Sequence, residues 1–242
     1  MKNYKLIIQY DGTGYAGWQI QDNAKSVQET VTGAIETITK EKINLIGSGR
    51  TDTGVHAFGQ AANFRLEKDL DPYRFMHSMN AILPQDISIK STEETTPEFH
   101  SRFDAKKRSY LYFISRSKNP FTYKYSWNYH GPADIVKLNQ LSRYLQGEHD
   151  FTSFSRKKSE VNNRLCTIYD AHWRESGDFI IFFIEANRFL HGMVRTTVGT
   201  LLRGIKLNWS GNDIIKVLEE KDRETAGEAI PAKGLFLYKV KY

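Results

Sequence analysis

The chain is poor in the residues that build stapled, metal-bound or membrane-spanning proteins. Its 242 residues include one cysteine, Cys166, which excludes an internal disulfide and a cysteine-cluster metal site. The seven histidines are scattered, with no H-x-x-x-H pair and hence no zinc pattern. No apolar run comes near the ~18–20 residues that a membrane-spanning helix needs. The opening MKNYKLIIQYDG is a short charged-then-apolar strand without a cleavage site, so a soluble, cytoplasmic setting is expected. Phosphate-loop chemistry has weak support. Gly49 to Gly54 has the G-x-x-x-x-G spacing, but Val55 stands where such a loop needs lysine, and Asp52 inside the cradle would repel phosphate.

What is present suits one or two compact domains with a real core: 40% hydrophobic and 26% charged residues. Lys and Arg exceed Asp and Glu by 34 to 28, for a net charge of +6 and a pI near 9.2. Such an excess fits an RNA partner, since cations displace counterions from phosphate, and it fits plain solubility equally well. The 13 Tyr and 14 Phe belong mostly to the core, although exposed rings would stack on unpaired bases.

The stretch that organises the chain is GSGRTDTGVHAFGQ, residues 47–60. It reads as a Gly-rich loop between β-type segments, with Arg50 and Asp52 two residues apart. A loop on a rigid scaffold is where a reachable catalytic group belongs. Taken locally, Asp52 has three readings: a turn or capping residue, part of a phosphate cradle, or a nucleophile or base beside an Arg that positions an anionic substrate. Local reasoning leaves them open.

Around this loop the pattern gives alternating strands and helices. KLIIQY (5–10) reads as a buried strand. Ser26 and Glu29 form an S-x-x-E capping box ahead of Val27, Val31, Ile35 and Ile38, which predicts a helix from 27 to about 40. Strands are predicted at 44–46 and 58–66. A helix opens at Asp71–Pro72 with Tyr73, Met76, Met79 and Leu83 as its apolar face, and DISIK (86–90) is a strand. The resulting β-α-β-β-α-β order is that of a ferredoxin-like split unit. The polar STEETTPE (91–98) is the expected linker, dividing a first domain, 1–98, from a second, 99–242.

In the second domain, Tyr110 and Tyr112 alternate with Leu111 and Phe113 on a strand that carries Lys106, Lys107 and Arg108 at its start. Ile135, Leu138, Leu141 and Leu145 mark a helix with Gly147 as its C-terminal cap. The polar segment 148–164 reads as a long loop whose Arg156, Lys157 and Lys158 would grip a phosphate backbone or simply face solvent. LCTIYDAHWRE and FIIFFIEA flank an SGD turn as a hairpin. A helix is predicted over 190–205, with His191 and Arg195 on one face. If buried, Arg195 needs a partner; a structural ion pair elsewhere would supply one, and so would Asp52. Ser210 and Asp213 open a last helix, and GLFLYKVKY is the last strand.

RTDTGVHAFGQ resembles the signature of the TruA-type tRNA pseudouridine synthases. The resemblance continues in YDGTGYAGWQIQ (10–21), in the basic-x-Tyr-x-Tyr strand at Arg108–Tyr112, in the FLxxMVR run ending at Arg195, and in the Pro231, Ala232, Gly234, Leu235 turn. It implies an α+β fold: two ferredoxin-like-derived α/β halves with mainly antiparallel sheets flanked by helices, and an active-site cleft between them. It implies that uridine becomes pseudouridine at positions 38, 39 and 40 of the tRNA anticodon stem-loop, by breaking N1–C1′, turning the base and joining C5 to C1′. It implies Asp52 as catalytic residue, Arg50, Tyr110, Arg195 and Leu235 around the substrate, no cofactor or metal, and a homodimer. Its weaker implications are RNA contacts at His56, Lys106, Lys107, Arg108, Arg156, Lys157 and Lys158; for His56 a structural role is equally expected. A hydrolytic glycosidase would need a second carboxylate, and the sequence nominates none. Two positions depart from the family pattern. Cys166 stands where a basic residue is expected, and Thr197 where an aliphatic one is.

Overall fold

A computed structural model describes residues 1–156 and 163–242. In chain order the elements are β1 (Lys2–Tyr10), α1 (Val27–Thr39), β2 (Ile46–Gly47), β3 (His56–Leu66), α2 (Pro72–Ile82), β4 (Ile87–Thr95), β5 (Lys107–Ser115), β6 (Trp127–Asn128), α3 (Ile135–Arg143), β7 (Gly147–Asp150), β8 (Leu165–Ser176), β9 (Phe179–Ala186), α4 (Met193–Lys206), α5 (Gly211–Glu220) and β10 (Leu235–Lys241). The chain folds as two units, one of residues Met1–Lys106 with Phe236–Tyr242, the other of Lys107–Leu235. The mixed α+β class with mainly antiparallel pairing is the one expected. The division falls at Lys107 rather than Phe99, and the C-terminal strand returns to the first unit.

In the first unit the strands run β4-β1-β3, with β2 antiparallel on the far side of β3, which is the ferredoxin-like order. β10 joins β3 in parallel, with Phe236 opposite His56. Helix α1 starts where its chemistry dictates. The Ser26 hydroxyl accepts from the Glu29 amide, and the Glu29 carboxylate accepts from the Ser26 amide. Its buried side is Val27, Gln28, Val31, Ala34 and Ile35.

Three readings of this unit are corrected. The expected linker, 91–98, is strand as far as Thr95. β4 is an edge strand, and its polar residues face water and charged neighbours: Lys5 Nζ lies 2.8 Å from Glu93 Oε1, its register partner across the ladder. On α2 the apolar side is Phe75 and Met79, whereas Tyr73 is exposed and Met76 only half-buried. The predicted strand at 44–46 shortens to the two-residue β2.

In the second unit the order is β5-β9-β8-β7, antiparallel throughout, with β6 added to β5 in parallel. Helix α3 packs on β8 and α4. Trp173 lies beneath α3, its indole N–H donating to Ser142 Oγ at 3.0 Å. Gly147 is not the cap of α3. Tyr144 ends that helix, and Gly147, at φ +97°, turns the chain into β7. The start of the expected 148–164 loop is packed rather than free, because Phe151 and Phe154 are wholly buried. Helix α4 begins at Met193, since Gly192 at φ +74° is its cap; His191 therefore precedes the helix and shares no helical face with Arg195. Thr197, the departure on this helix, satisfies its hydroxyl by donating to Met193 C=O at 2.9 Å. No helix among the described residues is long and apolar enough to cross a membrane.

Cys166 is buried on β8, and that burial pushes its thiol up to about 11. Only the thiolate attacks electrophiles. The native protein at pH 8 is therefore expected to resist iodoacetamide, with rapid alkylation only in denaturant. Mass spectrometry of the two samples checks this; full labelling of the native form would contradict the buried placement.

Candidate active site

The loop between β2 and β3 is held from several sides. Ser48 donates its amide to Ala61 C=O at 2.7 Å and its hydroxyl to Gln60 Oε1 at 2.6 Å. The Gln60 amide then donates to Gly49 C=O at 2.8 Å. Trp18, fully buried, runs under the loop: its backbone amide donates to Thr51 C=O at 3.1 Å, and a Cβ on Gly47 would lie 2.4 Å from its indole nitrogen. Tyr10 Oη meets Thr51 Oγ1 at 2.8 Å in a buried contact. The turn itself is closed by the Val55 amide donating to Asp52 C=O at 3.1 Å, with Gly54 at φ +75° in the position where such a turn favours glycine.

These bonds fix the backbone on both sides of Asp52 and leave its side chain half-buried. Arg50 is exposed, and its Nε donates to Gln19 Oε1 at 3.3 Å. Such a loop, with its backbone held and one carboxylate half-buried, is what a positioned nucleophile or base requires. His56 is completely buried. Its Nδ1 lies 3.1 Å from both the Gly12 amide and Asp11 Oδ1, and its ring stacks on Phe236 at 4.6 Å. Those contacts make it a brace of the loop's far end. Lys106 is exposed at the end of this unit.

The second unit assembles its own cluster. Arg195, half-buried at the start of α4, donates from Nε to Ile230 C=O at 2.5 Å, and the Ile230 amide returns a longer bond to Arg195 C=O at 3.5 Å. The next residue, Pro231, accepts at its carbonyl from Tyr112 Oη at 2.7 Å. Gly234 closes over the same ring, for a Cβ there would lie 2.7 Å from Tyr112 Cζ. Leu235 follows, buried. Arg195, Tyr112 and the 230–235 turn are thus one packed group. In the sequence, Tyr112 has no role beyond its alternation on the strand; a hydroxyl that needs a partner when buried was the available signal. Burial pushes its phenol far above the ordinary range, against the opposing charge of Arg195, so it stays a donor. Tyr112→Phe is expected to lose about 1–3 kcal/mol, the cost of leaving the Pro231 carbonyl unpaired. A urea titration of the two proteins measures it, and an unchanged midpoint would show the bond to be idle.

Tyr110 is also buried, edge-on to Phe189 with ring centroids 5.0 Å apart. Lys107 is engaged by Glu185 at 3.5 Å and lies over the Tyr169 ring at 4.2 Å, and Arg108 donates to Asn187 C=O at 3.0 Å. Both have structural partners within the unit. Arg156 is exposed, and its backbone amide donates to His191 C=O at 3.2 Å. Lys157 and Lys158 lie outside the described residues.

The family profile described as tRNA pseudouridine synthase matches residues 6–104 and 141–242, which include the Asp52 loop, Arg195 and Leu235 but not Tyr110. The chain is 41% identical to tRNA pseudouridine synthase A of Caldicellulosiruptor saccharolyticus over the whole of both chains. It is 39% identical to the enzyme of that name from Bacillus licheniformis, over 98% of each chain. With the one from Bacteroides fragilis it shares 40% identity over all of this chain and 97% of the other. A loop braced around a single half-buried carboxylate, a profile that covers most of the chain and full-length relatives near 40% identity lead to one conclusion: this chain belongs to the tRNA pseudouridine synthase family.

Proposed function

We propose that this chain isomerises uridine to pseudouridine at positions 38, 39 and 40 of the tRNA anticodon stem-loop, with Asp52 as its catalytic carboxylate. The observation that carries the proposal is the Asp52 loop: the backbone is pinned through Thr51, Val55 and Gly49 while the side chain stays half-exposed. The names of the full-length relatives supply the substrate class.

The chemistry asks little else of the protein. The base must leave its stack to reach the carboxylate. Asp52 then attacks C1′, attacks C6 or takes the 2′ proton; the N1–C1′ bond breaks and the base turns. C5 bonds to C1′ and gives up its proton, N1 takes up a proton, and any bond to Asp52 is broken or proton held by it returned. Reactant and product are isomers, so no electrons and no second substrate are consumed. In this reading Tyr110 stacks on the flipped uridine, Leu235 lines its pocket, and Arg50 and Arg195 hold phosphate or the carboxylate. The protein works as a cytoplasmic homodimer without a cofactor.

Site-resolved pseudouridine mapping tests this. Unmodified total tRNA and ribosomal RNA are incubated with the protein, with nothing else added. New pseudouridine confined to positions 38–40 of tRNA is expected. Modification at other sites would retain the chemistry and move the substrate, and no modification of either RNA by folded protein would end the proposal. Light scattering tests the dimer separately.

A further inference from the structure

The segment joining β5 to β6 turns large aromatic rings toward solvent. From Ala105 to Ala133 the sequence has no Asp or Glu. Within it, three rings are turned outward in alternation: Phe121 is 88% exposed, Tyr123 55% and Tyr125 40%. The segment is nonetheless ordered. Asn119 accepts the Phe121 amide on its side chain at 2.9 Å, the Tyr125 amide donates to Thr122 C=O at 2.8 Å, and Ser126 Oγ donates to the same carbonyl at 3.0 Å. Its far end is tied down by β6 pairing on β5. Arg116 is paired with Glu175, which leaves Lys118 and Lys124 as the charges of the loop, with Lys124 Nζ 6.0 Å from the Tyr123 ring centroid.

We infer that this loop is a stacking platform for unpaired nucleotides of the RNA substrate, at a place apart from the target uridine. Scattered exposed rings need no explanation, but three large exposed rings within five residues mark an interaction surface. A protein partner would favour rings with lysine depleted, whereas here lysines interleave with the rings and carboxylates are missing. That combination matches single-stranded nucleic acid, whose phosphates take the cations while the bases stack on the rings. Base-paired RNA would leave the rings unused, because its bases are already stacked. The loop also falls within the residues, 105–140, that the family profile does not match, so it is suited to tuning which RNAs are held rather than to the shared chemistry.

The inference rests on RNA being the substrate. Its test is a double variant, Phe121→Ala with Tyr123→Ala; both rings are exposed, so folding is retained. Binding of an unmodified tRNA transcript is expected to weaken by about tenfold or more, with KM rising in parallel and turnover at saturating tRNA falling far less. Phe121→Tyr, which keeps the ring, should bind as the wild type does. Lys118→Ala with Lys124→Ala should instead flatten the dependence of affinity on salt. Unchanged affinity in the ring variant would overturn the platform. So would a drop in its molar mass by light scattering, which would make the loop a contact between protein copies. Since binding is read without turnover, a wild-type protein that binds tRNA yet forms no pseudouridine would sink the proposed reaction and still let the platform be judged.

Discussion

Asp52→Asn is expected to abolish pseudouridine formation while the protein stays folded and still binds tRNA. Several bonds that brace the loop do not involve the Asp52 side chain: its backbone carbonyl accepts from Val55, Thr51 bonds Trp18 and Tyr10, and Gly49 bonds Gln60. None of these bonds needs a carboxylate side chain, and asparagine keeps the size and one acceptor oxygen. The thermal midpoint should therefore move by about 2 °C or less, the range of a change below ~1 kcal/mol in a chain of this size. Catalysis should fall by at least about 10² to 10⁴-fold, the usual contribution of a positioned acid–base group, and further if the carboxylate forms a covalent bond. The measurement is single-turnover pseudouridine formation on tRNA alongside a melting curve. Retained activity would return Asp52 to the plain turn residue that its sequence context equally permits. A large fall in melting temperature would show that the side chain is structural.

How much of this was legible in the sequence depends on whether the information was local. The caps were: Ser26 with Glu29, and Asp71 ahead of Pro72, act over three residues, and both helices start where those residues place them. The β-α-β-β-α-β order followed from period alone. The failures occur where tertiary structure chose between equal local patterns. Tyr73, Met76 and Met79 have helical spacing, but so do Phe75 and Met79, and only packing on β4 picks the second set. Residues 91–95 look like a linker because an edge strand facing water has no apolar side to betray it. Gly147 has the right residue type for a helix cap and spends it on a strand entry instead. At the site, Asp52 stood out because a long motif surrounds it. Its braces did not: Gln60 and Tyr10 matter through bonds to residues 11 and 41 positions away, which no spacing rule reveals. The Tyr112–Pro231 bond, across 119 residues, is the extreme case.

Gly17→Ala is expected to damage stability and catalysis together, and the comparison with Gly14→Ala makes the cause readable. Gly17 has φ +93°, and a Cβ there would lie 2.4 Å from Thr51 C=O and 3.1 Å from the Asp52 carbonyl carbon. Both obstacles are backbone, so no side chain can swing aside. The left-handed angle costs about 1–3 kcal/mol for a residue with a side chain, and the overlap adds about 1–3 kcal/mol. In a chain of this length that lowers the melting temperature by about 5–15 °C. The remaining folded protein can relieve the overlap only by moving Thr51 and Asp52, and a shift near 1 Å in a catalytic group costs about 10²-fold in rate. Gly14, three residues earlier, has open space within 4 Å and no left-handed angle, so its alanine variant should melt and turn over as the wild type does. Rates must be compared well below each variant's melting transition, so that unfolding is not mistaken for misplacement. If Gly17→Ala lost stability but kept its rate, the carboxylate would not depend on the backbone that carries it. If it lost neither, the close approach between the Gly17 and Asp52 segments would be absent in solution.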